Sequence, residues 1–214
     1  MTRSITPAIE RGKHDKLHRR EAFIEAATRV FAEKGYECAT TREIADRALC
    51  SEGLIHRYFG GKRGLLLAIL ERKTQEARDV INAEVPEPDD LLVELDHVMT
   101  WWLDYAWKNR DFLRVSVAQA IVDPEIGRIV GTILTKQRTA IFRDMLLRHQ
   151  RAGRIAPDVD IDAAAEGMGG VTFSAGFFEQ VVFARDREDV RRRVSELASV
   201  MVRGIASCGR QGRQ

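Results

Sequence analysis

Apolar residues recur at three- and four-residue spacing along almost the whole chain, and no segment alternates apolar with polar as a half-buried strand would. The pattern predicts an all-α protein of about nine helices. Ala22, Phe23, Ala27, Val30 and Phe31 mark a first amphipathic helix that ends near Gly35-Tyr36. Two short helices follow within residues 40–62. Thr40 and Glu43 stand at capping-box spacing and predict a helix to about Ala48; Leu49 and Cys50 make a turn, and Ser51 is placed to cap a second helix that carries Ile55 and Phe59 on one face. Ile44, Ala45, Ile55 and Phe59 then share one small core, leaving Gly53, Leu54, His56 and Arg57 on the open face of the second helix. That is helix-turn-helix spacing, with a second helix free to enter a major groove.

Downstream, a long helix carries Leu66, Leu67, Leu70 and Ala77 at helical spacing until Pro86-Glu87-Pro88 stops it. Residues 91–107 read as a helix apolar on nearly every face, which belongs in the middle of a bundle. A shorter helix over 111–122 precedes Asp123-Pro124-Glu125, a cap, a first-turn proline and an acid at the positive helix end, opening a helix to Arg151 that stops at Gly153. Two last helices are expected over 162–184 and 186–207.

The motif segment resembles the DNA-binding domain of the TetR family of bacterial transcriptional regulators. The resemblance runs through Thr40, Thr41, Ile44, Ala45, Ser51, Gly53, Ile55, Tyr58, Phe59 and Lys62, and covers roughly the first third of the chain. Two positions depart from the family pattern. Leu49 replaces a turn glycine and has to accept a left-handed backbone or reshape the turn, and His56 stands where the family usually has Tyr. The resemblance divides the chain into a basic arm (1–18), a helix-turn-helix domain (19–64), an effector-binding and dimerisation bundle (65–207) and a tail (208–214). It implies DNA contacts from Thr40, Thr41, Arg42, Ser51, Gly53, Leu54, His56, Arg57, Tyr58 and Lys62. Lys62, at a helix amino end, is expected on a phosphate, and Arg42 on a base edge or phosphate.

Charge changes the picture at one end only. The 214 residues carry a net +2, yet residues 1–63 hold 13 Lys and Arg against 9 Asp and Glu, net +4, leaving 21 against 23, net −2, for the rest. Arg3, Arg11, Lys13, Lys16, Arg19 and Arg20 supply most of the excess, as a basic arm that could follow a groove would. A composition of 44% hydrophobic and 31% charged residues is that of a soluble globular protein. No apolar run reaches a membrane-spanning length, no signal peptide opens the chain, and three cysteines without metal-ligand spacing suit a reducing cytoplasm. Neither a phosphate loop, a metal motif nor a nucleophile elbow is present, so no enzyme, cofactor or metal is expected.

The bundle's chemistry comes from the resemblance. It implies an unknown small-molecule effector in a pocket to which Trp102, Tyr105, Phe112, Phe142, Met145, Met168 and Phe173 are the candidates. It also implies a homodimer through the last two helices, with Gly170, Phe177, Val181, Leu197, Met201 and Ile205 at the interface. The small residues Gly169, Gly170, Ala175 and Gly176 allow close helix approach there, and the surrounding phenylalanines exceed what one stripe can bury. The expected function is a ligand-responsive transcriptional regulator, a repressor released from a pseudo-palindromic double-stranded operator by its effector. The alternative is an architectural DNA binder without an effector.

Overall fold

The computed structural model describes residues 6–84 and 88–206. The Arg3, Arg11 and Lys13 side chains of the basic arm, the Pro86-Glu87 break, Cys208 and the tail 208–214 lie outside the described residues. Helices α1 (Thr6–Cys38), α2 (Thr41–Arg47), α3 (Gly53–Phe59), α4 (Lys62–Glu84), α5 (Leu91–Lys108), α6 (Arg110–Val122), α7 (Pro124–Arg151), α8 (Ile161–Phe173) and α9 (Arg187–Ile205) follow in order. A π-helical segment, Ser174–Val182, continues α8. Among the described residues there is no strand, only an isolated bridge between Ile155 and Ala206, and no helix long and apolar enough to cross a membrane.

Two compact units result. The described residues up to Lys73, with Val115–Val130, form the first; those from Thr74 to Arg114 and from Gly131 onward form the second. The first unit is built on the apolar stripe of α1: Phe23, Ile24, Ala27 and Phe31 are buried with Ile44 of α2, Ile55 of α3 and Leu65, Leu66 and Ile69 of α4. Each large side chain contributes about 1.5–3 kcal/mol by leaving water, which holds helices as short as seven residues in place. Where a tail-like arm is expected, α1 already runs from Thr6, and it is interrupted only at Gly35.

The second unit is centred on α5, as its all-round apolar pattern predicts. Leu95, Val98, Met99 and Leu103 pack with Phe142, Met145 and Leu146 of α7, Ala165 and Met168 of α8, and Val190, Val194 and Ala198 of α9. Its helices start on side-chain caps: Asp90 accepts from the backbone N–H groups of Leu92 and Val93, Asp160 from Asp162 and Ala163, and Asp186 from Glu188 and Asp189. In the first unit Asp123 does the same for Glu125 and Ile126 at the start of α7.

One polar cluster is buried in this core. Glu94 accepts two bonds from Arg148 (2.9 and 2.6 Å) and lies 2.6 Å from His149 Nε2, while Arg154 Nε donates to His149 Nδ1 at 2.7 Å. With Nδ1 accepting, the ring carries its proton on Nε2 and donates to Glu94. Burial alone would raise the Glu94 pKa, but the hydrogen bonds from Arg148 and His149, with the charge of Arg148, outweigh it and hold the carboxyl below its ordinary range.

The segment 162–184 is not one regular helix. From Ser174 the winding widens to π, closed by Phe183 N–H donating to Phe178 O at 2.8 Å. Here Gly176 lies against α5 so closely that a Cβ would stand 3.1 Å from Ala106 Cβ, and Arg114 donates to the Val181 carbonyl at 2.9 Å.

Candidate nucleic-acid interface

The capping box forms as the sequence predicts. Glu43 N–H donates to Thr40 Oγ1 and Thr40 N–H donates to Glu43 Oε2, both at 3.2 Å. The turn closes with Cys50 N–H on Ala45 O at 3.0 Å, and Leu49 takes the left-handed conformation (φ 53°) that its place in the turn demands. Its side chain is 94% exposed.

Ser51 does not cap α3 with its side chain. Helix α3 starts from Glu52 with no side-chain cap bond; the Ser51 backbone carbonyl accepts from Leu54 N–H at 3.1 Å. Glu52 instead accepts a bond from the Thr41 hydroxyl, which ties the start of α3 to the start of α2. At its far end α3 stops on Gly60, left-handed at φ 74°. Gly64 then lets the first turn of α4 press on α3: a Cβ there would stand 1.6 Å from the Phe59 carbonyl oxygen. The sequence gives no sign of this beyond the glycine itself.

Of the ten expected DNA contacts, Thr40, Arg42, Ser51, Gly53, His56 and Arg57 are exposed, and Thr41, Leu54 and Tyr58 are partly so. The Tyr58 ring sits edge-on to Phe23 and Phe59, with Lys16 Nζ 5.8 Å from its centroid. Lys34 and Arg47 are neutralised by Glu43 and Glu33 respectively, and the bond from Arg47 holds the Glu33 carboxyl below its ordinary pKa. Arg42 and Arg57, by contrast, have no hydrogen-bond or ion-pair partner among the described residues. They are the uncommitted cations of the α2–α3 face.

Lys62, expected on a phosphate, is engaged within the protein itself. Its ammonium donates to the carbonyls of Tyr36 (2.8 Å), Ala39 (3.1 Å) and Glu37 (3.3 Å), and lies 4.4 Å from the centroid of the Tyr36 ring. An ammonium has three hydrogens, and three carbonyls are in reach of them. The residue therefore binds the end of α1 to the start of α4, satisfying carbonyls that the end of α1 leaves open. Only the tertiary structure brings those carbonyls, 23 to 26 positions away in the chain, around one amine.

The residues expected around an effector are spread over the second unit. Phe142, Met145 and Met168 are interior to the core, with Trp102 packed against it. Phe112 is buried, Tyr105 stacks on Trp101 at 5.1 Å with its hydroxyl pKa raised by burial and Glu76, and Phe173 stacks on Phe177 at 5.5 Å. A groove of about 220 Å³ opens elsewhere, lined by Val171, Ala175, Glu179, Arg193, Val194 and Leu197 among others.

At the expected dimer face, Phe177 and Val181 turn inward, 3% and 2% exposed within the protomer. The reason is the π winding: more than four residues per turn shift every side chain after Ser174 away from its α-helical position. Phe178, Val182 and Phe183 face outward instead, with Val200 of α9. Gly170 is exposed, and Leu197, Met201 and Ile205 are half-buried.

A capped three-helix unit with a tight turn and an exposed third helix is the domain of the helix-turn-helix regulators. The sequence profile of the bacterial regulatory proteins of the tetR family matches residues 23–69. YvkB of Bacillus subtilis, an HTH-type transcriptional regulator, is 31% identical over 94 residues, 44% of this chain and 48% of that protein, so the match spans about half of the relative's length. The transcriptional repressor AcnR of Corynebacterium diphtheriae is 27% identical over 86% of this chain and 92% of its own. The fold as a whole is similar to that of FadR from Bacillus subtilis, solved with stearoyl-CoA (TM-score 0.69, 19% identity, 86% and 98% of the two chains). It is similar as well to a TetR-family regulator from Chloroflexus aurantiacus (TM-score 0.58, 20% identity, 88% and 93%). Residues 23–69 therefore carry the domain that defines the bacterial regulatory proteins of the tetR family, and the relatives that match the chain are named transcriptional regulators.

Proposed function

We propose that the protein is a homodimeric, effector-responsive repressor that binds double-stranded DNA in the cytoplasm. The observation that carries this reading is the exposed α2–α3 face with Arg42 and Arg57 uncommitted beside Leu54 and His56. Arginines in such a position bind phosphate or guanine edges, and Leu54 can pack on a thymine methyl. Two copies of α3 occupy successive major grooves about 34–36 Å apart on a pseudo-palindromic operator. Outward apolar side chains on the π segment and α9 support pairing between copies, because an isologous contact needs such a self-complementary face. AcnR is named a repressor and FadR was solved with a bound acyl-CoA, which supports repression relieved by a small molecule. Such a molecule acts only if it binds the operator-competent and released states with different affinity.

Selection of bound sequences from random DNA, followed by a compound screen for release from the winner, tests the reading. A selected pseudo-palindrome released titratably by a small molecule is the expected result. Sequence-independent binding without release by any compound would leave an architectural binder.

A further inference from the structure

Arg138, in α7, is 8% exposed, and it forms no hydrogen bond or ion pair with any described residue. Its Nε is buried without an acceptor, and its guanidinium lies 4.9 Å from the centroid of the Phe173 ring. Gly169 makes room for it: a Cβ at that position would stand 3.2 Å from Nε. Burial pulls its pKa down to about 10, with no carboxylate opposing the shift, so the side chain is still a cation at neutral pH. A ring face offsets only part of what removing a charge from water costs. The same unit holds three further buried polar atoms without partners, Asp96 Oδ1 and Trp102 Nε1 in α5 and Gln180 Oε1 in the π segment. Well-packed proteins satisfy buried polar groups, and a buried cation left open against a ring face marks a place where something else binds.

We propose that the effector is an organic anion. Its carboxylate, or another oxyanion, is held by the Arg138 guanidinium, and its apolar body packs along Phe173 and Phe177. A neutral head group would leave the buried cation uncompensated, whereas an oxyanion accepts its hydrogen bonds and neutralises it. This inference rests on the reading of the second unit as effector-binding.

The test uses the full chain and three probes, octanoate, 4-phenylbutyrate and indole-3-acetate, each beside its primary amide. Binding is read by Tm and Trp fluorescence, and release separately from the selected operator. At least one acid should raise Tm and saturate the fluorescence change, with its amide weaker by about tenfold or more, the range for a charge-assisted bond. Arg138→Met should fold with a higher Tm in the free form and lose the preference for acid over amide. Arg138→Lys, which keeps the cation, should retain part of that preference and serves alone if the Met variant does not fold. Acids that fail to bind, or that bind no better than their amides, overturn the proposal, as does an Arg138→Met variant that keeps the preference. Acids that bind through Arg138 without loosening the operator uphold the anion site and remove the release mechanism. Release by neutral compounds only, untouched by Arg138→Met, does the reverse.

Discussion

Lys62 and Arg42 share a formal charge, yet their surroundings assign them different work. The Lys62 ammonium is occupied by three carbonyls, so Lys62→Ala should destabilise the protein by about 1–3 kcal/mol, the range for losing charge-assisted hydrogen bonds to part-buried acceptors. Urea denaturation measures this, and a variant that unfolds like the parent while showing a shallower salt dependence of DNA binding would return Lys62 to the phosphate. Arg42→Ala and Arg57→Ala, which break no bond among the described residues, should leave stability unchanged and weaken operator binding. Loss of a phosphate contact lowers the salt slope by about one, whereas loss of a base contact relaxes sequence preference at about 1–3 kcal/mol. Gly64 has no room for a side chain. A methyl group 1.6 Å from the Phe59 carbonyl cannot be accommodated without moving α3 or α4, and Gly64→Ala should cost about 3 kcal/mol or more, seen as a fall in Tm and in operator binding together.

Among elements, α5 and α7 are joined by the Glu94 cluster. Glu94 is 3% exposed and Arg148 36%, so replacing Glu94 with Gln, which weakens charge-assisted bonds partly screened by water, should cost about 1–3 kcal/mol near neutral pH. The folded-state pKa of Glu94 is depressed, so its contribution is fully present above the ordinary value of 4.5 and disappears as pH falls through the lower folded value. Stability of the parent should therefore drop below about pH 4.5 by more than that of Glu94→Gln, the two curves converging in acid. Thermal melts of both proteins from pH 7 to pH 3 decide it; parallel curves would separate Glu94 from the acid sensitivity.

At the scale of the whole molecule, the dimer is the consequence most exposed to test. The π segment turns Phe177 into the protomer, so a charge there disrupts the fold and says nothing about pairing. Val182→Glu or Val200→Glu, at positions 50% and 55% exposed, should instead give a folded monomer with much weaker operator binding, since one half-site supplies only part of the binding energy. Sedimentation of the parent as a monomer at micromolar concentration would remove the homodimer altogether.

What the sequence determined by itself is most of what depends on neighbours within a turn or two of helix, the Ser51 cap being an exception. The all-α class, the Thr40–Glu43 box, the Asp123 cap, the left-handed Leu49 and the helix-turn-helix spacing all follow from local hydrogen bonding and apolar periodicity. The tertiary structure alone decided which donors were already spent and which faces were already covered. Lys62 meets carbonyls far off in the chain, and Arg138 lies buried beside no carboxylate among the described residues, because partners distant in sequence set the burial and charge around a side chain. The change to π winding after Ser174 likewise has no signature in a spacing of three and four; it comes with the close approach of Gly176 to α5, and it rotates an apolar run so that part of it fills the core and part stays exposed.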